Sequence, residues 1–153
     1  MDWLIDFLTN KFFMTAVISW TVAQVLKVFI YAIINKSWDF SRLFGDGGMP
    51  SGHSATVSSL ATISALTFGL GSFEFAISGI LAVIVCHDAM GVRLEAGKHA
   101  KLLNLLVEAF EKFSKNEIPE VVLKEFVGHT PLQVLTGILL GIICAFGMHF
   151  LVF

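Results

Sequence analysis

Apolar residues fall into four long blocks along this chain, and the polar residues between them cluster rather than scatter. Phe12 to Ile34 carries one charge, Lys27, and Leu132 to Phe153 carries none. A bilayer core takes roughly 20 apolar residues at about 1.5 Å of helical rise each, so both blocks predict membrane-crossing helices. Phe75 to Met90 is shorter and closes on Cys86-His87-Asp88, while Ser54 to Leu70 holds seven Ser/Thr among seventeen positions. That block is too polar to meet lipid all round. Its small residues Ala55, Ser58, Ser59, Ala61, Thr62 and Ala65 predict a place in the middle of a bundle, with neighbouring helices satisfying the hydroxyls. The fold expected is all-α: one polytopic membrane domain over 1–153, with spans at about 12–34, 54–70, 74–90 and 131–153.

The stretch 93–128 has six Lys/Arg and six Glu, far too polar to cross, so it stays on one side. Within it Leu102, Leu103, Leu106, Phe110 and Phe113 recur at spacings of one, three and four, with Glu108/Lys112 and Glu111/Lys115 as i,i+4 pairs. This predicts an amphipathic helix lying along the interface or capping the bundle. Ile118-Pro119-Glu120 then predicts a short helix that Gly128 ends. In the last span Gly137, Gly141 and Ala145 make a GxxxG-type close-packing face, suited also to a homo-oligomer.

Composition agrees: 56% of the 153 residues are hydrophobic, 14% are charged, and mean hydropathy is +0.80. Ten Lys+Arg against twelve Asp+Glu argue against a nucleic-acid partner, which needs a basic surface to neutralise phosphates. Cys86 and Cys144 sit in separate apolar runs and read as packed thiols. The opening Met1-Asp2-Trp3 lacks the basic region and small-residue cleavage site of a signal peptide.

Counting crossings locates the chemistry. The first span delivers the chain to one face, the second leaves it at Pro50-Ser51-Gly52-His53, and the third returns to it at His87-Asp88. The polar stretch remains there, and the fourth span departs after His129-Thr130-Pro131. His53, Asp88, Arg93 and His129 therefore gather at one end of the bundle. Two helix N-termini open beside them, and unpaired N–H groups with the helix dipole favour an anion.

Gly47-Gly48-Met49-Pro50-Ser51-Gly52-His53-Ser54, Asp88-Ala89-Met90-Gly91-Val92-Arg93 and Gly128-His129-Thr130-Pro131-Leu132-Gln133-Val134-Leu135-Thr136-Gly137 together resemble the divergent branch of the type 2 phosphatidic acid phosphatase superfamily, which also includes vanadium haloperoxidases. The resemblance covers residues 20 to 141. It implies a phosphohydrolase that needs no metal or other cofactor and passes through a phosphohistidine, with His129 as nucleophile and His53 as general acid. Lys27, Arg42, Ser51, Gly52 and Arg93 would hold the phosphoryl oxygens. An imidazole suits either role near neutral pH, and fixed donors stabilise the transferring group without reorganising.

The pattern departs from the family at three places. Gln133 stands where an Asp orients the nucleophilic His, so Asp88 is the candidate for that electrostatic role. The stretch Val122 to Val127 lacks the Ser-Arg pair, leaving Arg93 to serve, and the first motif reduces to Lys27 with Arg42 assigned by position. Structural readings stand beside these. Thr130, Pro131 and Gln133 fit a capping box, Lys27 could snorkel, and Asp88 could pair with Arg93 or Lys27. Trp20, Gln24, Lys27 and Tyr31, at spacings of three and four, predict a polar stripe facing the bundle. Arg42, Lys98 and His99 read as solvated interface charges, and His87 and His149 as structural. A metal site from His53, His87, Asp88 and His129 matches no standard ligand spacing.

Eight of the ten Lys+Arg (Lys36, Arg42, Arg93, Lys98, Lys101, Lys112, Lys115, Lys124) lie on the histidine face, which the positive-inside rule puts in the cytoplasm, with both termini opposite. The expected function is hydrolysis of a phosphomonoester or pyrophosphate, with a lipid phosphate as partner in the bilayer. The alternatives are a non-catalytic phosphate- or lipid-binding membrane protein and an assembly subunit that packs through Gly137 and Gly141.

Overall fold

The computed structural model describes residues 2–43, 48–113, 123 and 128–152, with the backbone alone at 111–113. Four of the α-helices start on a capping side chain, Asn10, Ser51, Ser72 or Thr130. Asp2–Leu8 forms α1, and Lys11–Asn35 forms α2, whose N-cap Asn10 accepts from the N–H groups of Phe12 and Phe13. A short 3-10 turn, Phe40–Leu43, follows. Gly52–Phe68 is α3, Phe73–Met90 is α4, Val92–Phe113 is α5 and Pro131–Leu151 is α6. Ser51 and Ser72 cap α3 and α4 by accepting from the N–H groups of Ser54 and Phe75. No strand forms among the described residues.

Three apolar helical stretches are long enough to cross a bilayer: Lys11–Asn35, a stretch within Phe73–Phe110, and Pro131–Leu151. The fourth expected span, α3, has 17 residues and so reaches about 26 Å. It is the hub of the bundle, packing against α2, α4 and α6. Its small residues explain the position: Ala55, Ser54 and Ser59 are completely buried, so partner backbones come close.

The hydroxyls of α3 are satisfied differently from expectation. Thr56 donates to Gly52 O at 2.8 Å, Ser58 to Ser54 O at 2.6 Å, Ser59 to Thr56 O at 2.9 Å and Thr62 to Ser58 O at 2.7 Å. Most of the polar load is thus returned to the helix's own carbonyls, the local option open to Ser and Thr in any helix. Bonds between helices are fewer, chiefly Ser19 Oγ to Ala55 O at 3.1 Å and a longer one from Ser58 Oγ to Ile138 O.

The GxxxG face of α6 is occupied within the chain. A Cβ on Gly137 would sit 2.5 Å from the Ser51 carbonyl oxygen, and one on Gly141 would overlap Ser58 Oγ and the Ala55 carbonyl. The two glycines bring α6 onto α3, so this face is not available to join a second copy.

Beyond Gly91, α5 packs on α4 alone among the described elements. Leu102, Leu103, Leu106 and Phe110 are exposed along it. Asn104 clamps the returning chain, donating from Nδ2 to Leu123 O at 2.9 Å and accepting from Leu123 N–H at 3.0 Å. The side chains of Glu111, Lys112 and Phe113, together with Lys115, Lys124 and the helix expected from Ile118, lie outside the described residues.

Candidate functional site

Three helix ends meet where the two histidines lie. The N–H of Ser51, at the start of α3, donates to Gln133 O in the first turn of α6 at 3.0 Å. The N–H of His129 donates to Ala89 O at the end of α4, also at 3.0 Å. Two main-chain bonds thereby tie α3, α4 and α6 at a single level. Gly128 completes the joint. Its φ of +90° is a conformation that suits glycine, and a Cβ there would run into the backbone of Arg93 and Leu94.

At this level the rings of His53 and His129 lie edge-on, with centroids 6.1 Å apart and planes at 89°. His129 is buried at 4% exposure, whereas His53 is exposed. The juxtaposition follows from their placement: His53 is the second residue of α3, and His129 immediately precedes the N-cap of α6.

The first intrahelical bond of α3 runs from Ala55 N–H to Ser51 O, and Ser51 Oγ takes the Ser54 N–H, so the Gly52 and His53 N–H groups of the first turn have no intrahelical acceptor. The Ser51 hydroxyl itself is fully buried and accepts from Ser54 Oγ at 3.0 Å, so the side chain serves the cap.

Residues of α2 line the opposite wall. Gly52 lies against the Trp20 indole and the Gln24 carboxamide, whose carbon would be 3.7 Å from a Cβ at that position. Gln24 is 9% exposed and its Oε1 meets no donor among the described residues, a buried acceptor beside the first turn of α3. One turn on, Lys27 is 4% exposed and its stem runs under Gly48, where an added Cβ would come within 3.1 Å of Cγ and Cδ. Lys27 is therefore enclosed by the loop before α3 rather than stretched toward the interface. The stripe Trp20, Gln24, Lys27 was legible from helical spacing, but its contacts with Gly48 and Gly52, which span over twenty residues of chain, had no local signal.

The remaining candidates sit further out. Arg93 Nε donates to Asp88 Oδ2 at 2.6 Å, with both side chains more than a third exposed. The electrostatic partner proposed for His129 is thus engaged with Arg93, the structural alternative. Arg42 Nε donates to Asp39 at 3.2 Å, and its guanidinium lies 4.5 Å from the Tyr31 ring centroid. The Asp39 carboxyl is held below its usual range, first by the Ser41 hydroxyl and then by the Ser41 N–H and Arg42. That cluster braces the 3-10 turn against the end of α2.

Gln133 has a definite structural task. Thr130 and Gln133 form a reciprocal box, with Thr130 N–H donating to Gln133 Oε1 at 3.0 Å and Gln133 N–H donating to Thr130 Oγ1 at 3.4 Å. Pro131 opens the helix as expected. Among the described residues no group of three or more His, Cys, Asp or Glu is arranged to hold a metal ion.

Comparison with known proteins identifies the family. A family model described as the divergent PAP2 family matches residues 8–144. The membrane protein YuiD of Bacillus subtilis (strain 168) is 41% identical over 154 residues, which cover 92% of this chain and 98% of that protein. No solved structure matches.

Proposed function

The chain is an integral membrane protein belonging to the divergent PAP2 family, and from that premise we propose that it hydrolyses a phosphomonoester or pyrophosphate carried by a membrane lipid. One observation carries the reading: two imidazoles, one buried and one exposed, lie edge-on 6.1 Å apart beside the open first turn of α3.

In this reaction a ring nitrogen of His129 attacks phosphorus and the bond to the leaving oxygen breaks, while His53 gives that oxygen its proton. The resulting phosphohistidine is opened by water, whose proton returns to His53, and inorganic phosphate leaves. The Gly52 and His53 N–H groups and Lys27 supply fixed positive potential for the phosphoryl oxygens. Arg93, held by Asp88, and Arg42, held by Asp39, are the exposed cations assigned to the same role.

In the bilayer, α3 is proposed as a fourth span alongside the three longer apolar stretches, enclosed by them on three sides. The exposed leucines of α5 would rest on the membrane surface. The excess of Lys and Arg on the histidine face puts that face in the cytoplasm.

A second reading, a phosphate- or lipid-binding protein without turnover, draws on one feature: Gln133, standing where the family pattern has an Asp, is committed to a cap, and Asp88 is engaged by Arg93. The test is vanadate-sensitive phosphate release from a panel of lipid phosphates by purified protein in detergent with chelator present. His129→Ala is expected to abolish release, and His53→Ala to lower it by about 10²–10⁴-fold. Release that survives both substitutions rejects the assignment, and release abolished by chelator points to a metal. Saturable vanadate binding without turnover selects the second reading.

A further inference from the structure

Helices α2 and α4 each pack on α3 and on α6, yet among the described residues no Cα of one comes within 8 Å of a Cα of the other. The gap between them is a cavity of about 470 Å³ with α3 as its floor, within the size range of small-molecule sites. Its lining is almost wholly apolar: Phe13, Val17 and Trp20 from α2, Val57 from α3 and Val85 from α4. The exposed His53, proposed above as the general acid, also lines it.

The register of α2 gives the cavity a direction. Phe13, Val17 and Trp20 share a face with Gln24 and Lys27, at spacings of three and four, and the face changes from apolar to polar at Trp20, which touches Gly52. From Phe13 to Trp20 the apolar part is about 10 Å long. The polar part begins at the level of the histidines. A ligand that matches both halves has an anionic head at the mouth of α3 and a hydrocarbon tail running toward the α2 N-terminus. Ordinary bilayer lipid could fill an apolar gap, but it would not account for a gap that ends on the exposed imidazole.

We infer that the groove between α2 and α4 receives one hydrocarbon chain of a membrane-borne phosphate, which enters sideways from the lipid and is selected by chain length. The head-group half of this inference rests on the phosphohydrolase reading. The tail half does not.

Two measurements separate them. The first uses a non-hydrolysable alkyl phosphonate with a diazirine midway along its chain, with crosslinks mapped on the full-length protein in nanodiscs. Labelling is expected on Phe13 to Trp20 and on Val57, and is expected to fall when inorganic vanadate is added. Labelling spread evenly over the outer faces of α2, α4 and α6 means annular lipid only and overturns the groove. The second compares kcat/KM for long-chain and short-chain phosphates in Val17→Phe and Val57→Phe, with Val83→Phe on the lipid face of α4 as the control. The long-to-short ratio should drop by about tenfold in the first two, the effect of displacing roughly two buried methylenes. An unchanged ratio in a folded variant also overturns the groove. If no phosphate is hydrolysed but the phosphonate still labels the groove, the binding inference stands and the catalytic reading falls.

Discussion

Gly137→Ala is the sharpest probe of how the site is assembled. The added Cβ would lie 2.5 Å from the Ser51 carbonyl oxygen and 3.0 Å from Ser54 Cβ, where ordinary contact begins near 3.4 Å. Both opposing atoms are stiff, one backbone and one the root of a side chain, so α6 must retreat from α3 by several tenths of an ångström or more. Overpacking of this kind costs about 1–3 kcal/mol. Against it stands the better helix propensity of Ala, about 1 kcal/mol in a soluble helix. Gly147 calibrates that term, because a Cβ there meets nothing within 4 Å on the same helix. The difference between Gly137→Ala and Gly147→Ala therefore isolates the packing cost. At roughly 2 kcal/mol it corresponds to about 4–8 °C in Tm for a chain of this size.

The same displacement reaches the chemistry. The Ser51 residue struck by the new methyl also donates its N–H to Gln133 O, so a shift of α6 loosens the bond that holds the two histidine-bearing ends at one level. Phosphate release should fall further than the lost stability accounts for, measured well below Tm on the same detergent preparation. Equal Tm and equal activity for the Gly137 and Gly147 variants would refute this account of the α3–α6 contact. A change in oligomeric state without a change in Tm would return the GxxxG face to a partner chain.

Three further outcomes are expected. Gln133→Glu keeps the side-chain acceptor for Thr130 N–H and should leave Tm nearly unchanged, whereas Gln133→Ala should lower stability by about 0.5–2 kcal/mol, measured by thermal unfolding. Gln24→Leu removes a buried acceptor that meets no donor among the described residues and should raise stability by up to about 1–3 kcal/mol; a fall in Tm would show that the carboxamide is satisfied by something else in the folded protein. A cysteine placed at Thr56 beside His53 should resist an impermeant thiol reagent in intact cells and react in opened membranes, while labelling in intact cells would reverse the cytoplasmic orientation.

Much of the architecture was legible because a bilayer imposes a blunt rule on sequence. A helix such as Lys11–Asn35 declares itself by length and hydropathy alone. The meeting of His53 with His129 followed from parity, since two crossings separate the end of α2 from the end of α4. What stayed hidden were pairings between competing partners. Gly137 and Gly141 announce a close contact without saying whether α3 or another chain fills it. Asp88 had Arg93, Lys27 and His129 within conceivable reach, and the turn at Gly91, which settles the matter by bringing Arg93 back over Asp88, has no signature beyond its glycine. The buried position of Gln24 beside Gly52 is likewise a product of packing over distance. The Ser and Thr hydroxyls of α3 illustrate the opposite error: a polar face was read as a demand for partners, when local carbonyls could meet it.

The capping role of Gln133 changes how the departure from the family pattern is to be understood. A side chain four residues after His129 could steer that ring only by leaving the α6 N-terminus uncapped on one side, and here it closes the cap instead. The main chain of the same residue meanwhile receives the Ser51 N–H. Position 133 therefore acts as a joint between α3 and α6, and His129 beside it is placed by its N–H on Ala89 O, by Gly128 pressed against Arg93 and Leu94, and by near-complete burial. The fixed positive end of α3 would act on the phosphoryl oxygens. On the phosphohydrolase reading, activity depends on keeping these helix ends in register, which is why a methyl group on Gly137, remote from the reacting atoms, is expected to be felt there.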